Sequence, residues 1–180
     1  MKPLILSFAP SAKWRNPLQA LNLKGEAWQK MRLKFLNRDN YTCAYCEFRL
    51  EKYQIVDHID GDPENNSDEN FQVICQMCNL IKHSGMGCEI TGVVDLYKHS
   101  KYNQNDIMKI ARELRDGGSS DKEIIEHLGL KDKANFKMDR DYLEHVFGFV
   151  TSRKSKEHGD MYNHWLEYHK KQRMIKNASL

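Results

Sequence analysis

No apolar stretch in the sequence approaches the roughly 20 residues that a membrane-spanning helix needs, and no span is expected. A dominant charge is also missing. Lys and Arg number 28 against 25 Asp and Glu, a formal net charge of +3. So small an excess does not itself point to nucleic acid, and the distribution of the charge matters more. Cysteine is scarce, with 5 in 180 residues. Four fall in matched pairs and Cys88 stands alone, a pattern that suits a metal site in a reducing, cytoplasmic setting better than a disulfide framework. Nor is the start a convincing signal peptide. Met1 to Ala12 offers one lysine, a short apolar run and small residues, but the run is barely long enough and prolines flank it. What remains is the composition of a globular protein, 40% hydrophobic and 29% charged. It is long enough for one cored domain, alone or with a small appendage.

The chain is organised around Cys43 to His83. Cys43 and Cys46 with Cys75 and Cys78 form C-x2-C-x28-C-x2-C, a spacing that brings four thiolates to one tetrahedral zinc. Four sulfurs close the coordination sphere, so the zinc is structural. Inside the loop lie Val56-Asp57-His58-Ile59-Asp60-Gly61-Asp62 and Glu69-Asn70-Phe71, and the second pair runs on into Asn79-Leu80-Ile81-Lys82-His83. A zinc staple alone needs none of these polar residues.

In chain order, residues 1–24 read as an arm with a short strand at Leu4 to Phe8. Residues 25–100 read as the zinc domain and 101–180 as a helical C-terminal region. Gly25 to Leu36 is a helix with Lys30, Arg32 and Lys34 spread around it, most simply a solvated face. Tyr53 to Ile59 is a strand that stops at the Gly61-Asp62-Pro63 turn. Phe71 to Ile74 is a second strand, and a helix from Cys75 carries Asn79 and His83 on one face. Val93 to Tyr97 reads as a strand or connector. Ile107, Ile110, Ala111 and Leu114 then set a helical period that ends at Gly117-Gly118. Ser120 or Asp121 caps a further helix with Gly129 at its end. The fold class expected is α+β.

The stretch Arg38 to His83 resembles the HNH nucleases in Asp57-His58, Asn70 and the Cys-x-x-Cys-Asn-x-x-Lys ending. The resemblance implies a ββα-metal core holding a divalent cation between hairpin and helix. In this H-N-N variant His58 would be the general base, and Asn70 would brace the loop that orients it. Asp57 and Asn79 would ligate Mg2+ or Mn2+, with His83 a further candidate ligand. The chemistry is coherent: hydrolysing a phosphodiester needs a base near neutrality and a hard cation held by a few oxygens. That reading makes the protein a metal-dependent endonuclease acting on nucleic acid, DNA expected.

A second resemblance extends along most of the chain. Arg38-Asp39-x-Tyr41-Thr42-Cys43-x-x-Cys46, Asp60-Gly61-Asp62 with Asn65-Asn66, Phe136-Lys137 and Glu144 to Gly148 look like the HNH-like component of the Dot/Icm type IV secretion coupling complex. That family keeps the zinc cysteines without the Asp-His pair, which implies a catalytically silent interaction subunit with a protein partner on its helical C-terminal region. Asp57-His58 is retained here, a departure from that pattern that favours the nuclease. Arg153, Lys154, Lys156, Lys170, Lys171 and Arg173, with aromatics between the clusters, are the candidate phosphate contacts.

Overall fold

The computed structural model describes residues 2–8, 25–62, 64–155 and 167. Helix α1 (Glu26–Arg38) has Glu26 in its first turn and Arg38 in its last, each favourable to the helix dipole. It buries only Phe35 and Leu36, which meet Phe71 and Val73 in a small core of their own. The chain then turns through Asn40 and Tyr41, both at positive φ, into the first cysteine pair. Strands β1 (Ile55–His58) and β2 (Phe71–Ile74) pair antiparallel, placing Asp57 opposite Gln72 and His58 opposite Phe71. Helix α2 (Gln76–Lys82) follows directly, with Cys75 as N-cap accepting from the Cys78 amide.

A π-helical turn at Met86–Ile90 leads to β3 (Val94–His99). Helix α3 (Gln104–Asp116) is capped by the Asn103 side chain. Helix α4 (Asp121–Leu128) carries a full capping box between Ser120 and Glu123 and ends at Gly129, whose φ of 64° suits glycine. Next come β4 (Lys131–Ala134), the single turn α5 (Arg140–Leu143) and β5 (Phe147–Val150). The second sheet has the order β4-β3-β5, all antiparallel.

Mixed α and β structure agrees with the fold class expected, but the region after residue 100 is not purely helical. Strand β4 reads Lys-Asp-Lys-Ala and lies largely exposed at a sheet edge. Without apolar alternation it sends no strand signal. Strand β5 is four residues, too short to register a period. Both pair with β3, so this sheet crosses the boundary drawn at residue 100.

The arm also does more than lead in. Leu4 and Leu6 are buried in the main core, and Leu4 N–H donates to Asn105 Oδ1 at 2.8 Å. The strand expected at Leu4 to Phe8 reduces to a single bridge between Ser7 and His83. Residues 9–24 of the arm lie outside the described residues.

One main core joins the cysteine knuckles, α2, β3, α3, α4 and β5. Strand β5 packs closely on α2 at Gly148, where an added Cβ would stand 2.6 Å from Ile81 Cδ1. Among the described residues no helix is long and apolar enough to cross a membrane.

Candidate metal centre and the adjoining polar cluster

The cysteine pairs come from two elements of different kind. Cys43 and Cys46 sit in the turn after α1, held by Cys43 N–H to Phe48 O at 3.0 Å and Ala44 N–H to Val73 O at 2.8 Å. Cys75 and Cys78 open α2. The four sulfurs lie within 4.8 Å of one another and are buried, with Cys46 Sγ and Cys75 Sγ 3.6 Å apart. Zinc bonded to sulfur at about 2.3 Å in a tetrahedron sets its sulfurs roughly 3.8 Å apart. The arrangement fits one zinc ion with no ligand position left open.

Without a metal these groups do not ionise alike. Hydrogen bonding with Cys46 and then Cys75 holds the Cys43 thiol up, and burial holds Cys78 up. Hydrogen bonding from Cys43 lowers Cys46. Burial opposes ionisation of Cys75, but hydrogen bonds from its three cysteine neighbours and the charge of Arg112 outweigh it and bring the thiol well down. Arg112 reaches Cys46 and Cys75, at 3.8 and 3.0 Å from Nη2. Sequence reasoning did not single out Arg112. The available signal was a charge beside Ala111 and four residues after Met108, on the face that α3 buries. Cys88 is half-buried, its thiol pushed up to about 12 chiefly by burial, and takes no part in the cluster.

The candidate nuclease residues lie on the hairpin and α2. Asp57 is buried, 7% exposed. Its Oδ2 accepts from the Lys82 ammonium and from Gln72 Nε2 at 3.2 Å, and its Oδ1 lies 3.0 Å from His83 Nε2. Burial would raise the Asp57 carboxyl, but the His83 hydrogen bond and the Lys82 charge hold it below its ordinary value. Lys82 is itself buried and donates also to His58 O, tying the end of α2 across the end of β1.

His58 is half-buried and does not touch the Asp57 carboxylate through its ring. Its Nε2 is 3.0 Å from Asn66 Oδ1 and its ring lies 4.7 Å from that of Phe71. Asn70 donates to Asp60 Oδ1 at 2.9 Å and to Asn65 O at 2.8 Å, and accepts from Asp60 N–H at 3.1 Å. It therefore ties the loop that follows His58. Asn79 is buried, and among the described residues its side chain makes no hydrogen bond. The structure thus brings Asp57 together with His83 and the Lys82 ammonium, while the Asn70 side chain bonds within the loop after His58.

Several of the described basic residues are committed within the fold. Arg38 donates to Phe71 O at 2.7 Å and to both carboxylate oxygens of Asp39, whose Oδ2 also accepts from Val73 N–H. The Arg38-Asp39 step thereby fastens α1 to β2. Arg32 donates to Gln54 O, and Lys34 pairs with Asp68. Arg153 pairs with Asp95 at 2.6 Å and donates to Gly92 O. Lys154 is exposed. Lys156, Lys170, Lys171 and Arg173 lie outside the described residues.

No known family's sequence profile matches this chain. It is 33% identical over 82 residues to the type 4 apparatus protein DotN of Legionella pneumophila, a match covering 44% of this chain. The chain is matched over 37% of the length of that relative.

Proposed function

We propose that this chain is a zinc-stapled interaction subunit of a type IV secretion apparatus, catalytically silent, whose partner is another protein of that apparatus. The likeness to DotN carries the proposal. Physical chemistry supports it at the hairpin. A hydrolytic cation needs free carboxylate oxygens, whereas both oxygens of Asp57 are engaged, one by Lys82 and Gln72, the other by His83. Mg2+ or Mn2+ would have to displace a buried ammonium from its counter-ion. The cluster serves instead to lock β1 to α2, and the internal pairing of Arg32, Arg38 and Arg153 leaves fewer cations for phosphate.

A second reading, an HNH-type endonuclease with DNA as substrate, draws on one observation: His58 beside Asp57, with Asn70 tying the adjacent loop. One preparation tests both. Purified native protein and His58→Ala are assayed for plasmid cleavage with Mg2+ and Mn2+, and the tagged full chain is isolated from its native cells. No cleavage, together with salt-resistant recovery of a secretion-apparatus protein, is the expected result. Cleavage by native protein that His58→Ala abolishes would reverse the choice.

A further inference from the structure

Four thiolates on one Zn2+ carry a net charge of −2, and here they are buried: Cys43 and Cys75 are 1% exposed, Cys46 5% and Cys78 0%. Such charge away from water demands a partner. The cation that reaches it comes from a different part of the chain. Arg112, 34 residues beyond Cys78 and 7% exposed, places Nη2 at 3.0 Å from Cys75 Sγ and 3.8 Å from Cys46 Sγ.

The knuckle also supplies the surface that orients the guanidinium. The Phe48 ring centroid lies 3.6 Å from Arg112 Cζ, and Phe48 O accepts from Cys43 N–H. Planar stacking combined with directed N–H donation is a task for arginine and not for lysine. Along the same face of α3, Asn105 donates to Tyr45 O at 2.8 Å and Lys109 pairs with Glu47 at 2.6 Å. Positions 105, 109 and 112 follow the helical repeat and meet residues 45 to 48 of the knuckle in order.

We infer that Arg112 is the counter-ion of the zinc centre, a positioning residue through which α3 controls how firmly the four cysteines hold the metal. The inference rests on the site holding zinc. By donating to Cys75 and Cys46 and offsetting the negative charge of the centre it stabilises those two sulfurs as bound thiolates, so they are poorer targets for protons.

The test compares full-length native protein with Arg112→Met, Arg112→Lys and Lys109→Met. The readouts are zinc content, zinc transfer to a chromogenic chelator, and the sulfur-to-metal charge-transfer band after Co2+ substitution. Removing a group that supports metal ligands typically weakens affinity about 10–100-fold. Arg112→Met should lose zinc by that factor and shift the Co2+ band to longer wavelength. Arg112→Lys, which keeps charge without the fork, should fall between. Lys109→Met, which breaks a contact between α3 and the knuckle without touching sulfur, should retain zinc as the native protein does.

If Arg112→Met fails to fold, the ordering of Arg112→Lys between native and metal-poor behaviour carries the test. Native-like retention and an unmoved band in the Arg112 variants would overturn the inference while leaving the zinc reading intact. Equal loss in Lys109→Met would also overturn it, assigning the effect to helix docking alone. A folded native protein without zinc would overturn both.

Discussion

Lys82 shows how one side chain can change what a neighbouring carboxylate is for. In the sequence it is the lysine of the Cys-x-x-Cys-Asn-x-x-Lys ending, and nothing there says that its ammonium turns inward. In the structure it is 6% exposed and pairs with Asp57. Removing one member of a buried pair typically costs about 3–5 kcal/mol because the other charge is left behind. Lys82→Met should therefore destabilise the protein by about 3 kcal/mol, the low end, since His83 and Gln72 still face Asp57. Urea unfolding of the zinc-loaded protein measures this, and a neutral result would mean that the ammonium is not the partner Asp57 depends on. Asp60 gives a pH test with a definite sign. Hydrogen bonds from Asp62 N–H, Asn65 and Asn70 bring its carboxyl down to about 2, below the ordinary value near 3.9. A group lowered on folding stabilises above its unfolded pKa, and that stability is lost as pH falls through the folded one. The difference in stability between native protein and Asp60→Asn should be constant above about pH 4 and shrink between roughly pH 4 and pH 2. A difference that stayed unchanged through that window would assign Asp60 no such role. The adjacent Asp57 and His58 were legible from sequence as a pair, but their separate partners were not. Those partners depend on where α2 and the Asn65-Asn66 loop fall in space.

Helices were more legible than strands, and the reason lies in what each buries. Ser120, Gly129 and the period of Ile124 and Leu128 mark α4 locally, and the structure places the cap and stop there. Helix α3 was recognised with its face rotated. Ile107, Ile110, Ala111 and Leu114 suggested the stripe, yet the buried positions are Gln104, Asn105, Ile107, Met108, Ala111, Arg112 and Arg115. Polar residues occupy that face because each has a backbone or sulfur partner elsewhere. Gln104, for example, bonds both the N–H and the C=O of Gly148 at 2.8 Å. A scale of hydrophobicity cannot see partners that distant. Strand β5 is held between this amide and α2, and its glycine lies close against Ile81 of α2. Gly148→Ala should place a methyl against Ile81 Cδ1, now 2.6 Å from that position, and overpacking of this kind costs about 1–3 kcal/mol. Thermal unfolding should show the loss, while zinc content stays native because no cysteine contacts that methyl. Pairing Gly148→Ala with Ile81→Val should recover part of it. If the double variant is merely the sum of two losses, the contact is not what limits β5.

At the scale of the whole molecule the zinc site is part of the core rather than an attachment to it. The four cysteines belong to the same buried cluster as Ile107, Met108, Ile124, Leu128 and Phe149, and α3 joins the knuckle to the β4-β3-β5 sheet. A division at residue 100 follows the change in sequence character, but it cuts through contacts that the fold treats as continuous. Zinc in a closed thiolate site contributes apparent binding energy of about 10–16 kcal/mol at neutral pH, comparable with the roughly 5–15 kcal/mol that separates a domain from its unfolded state. Removing the metal should therefore not merely loosen residues 43–78. Strong chelation at neutral pH should abolish amide protection in β3, α3 and β5 together with that in β2 and α2, in one transition restored by adding Zn2+. Hydrogen exchange resolves the elements separately and so decides the matter. Protection that persisted in β3 and β5 after the knuckle opened would mean two units folding independently, and the shared core would then be packing without thermodynamic coupling.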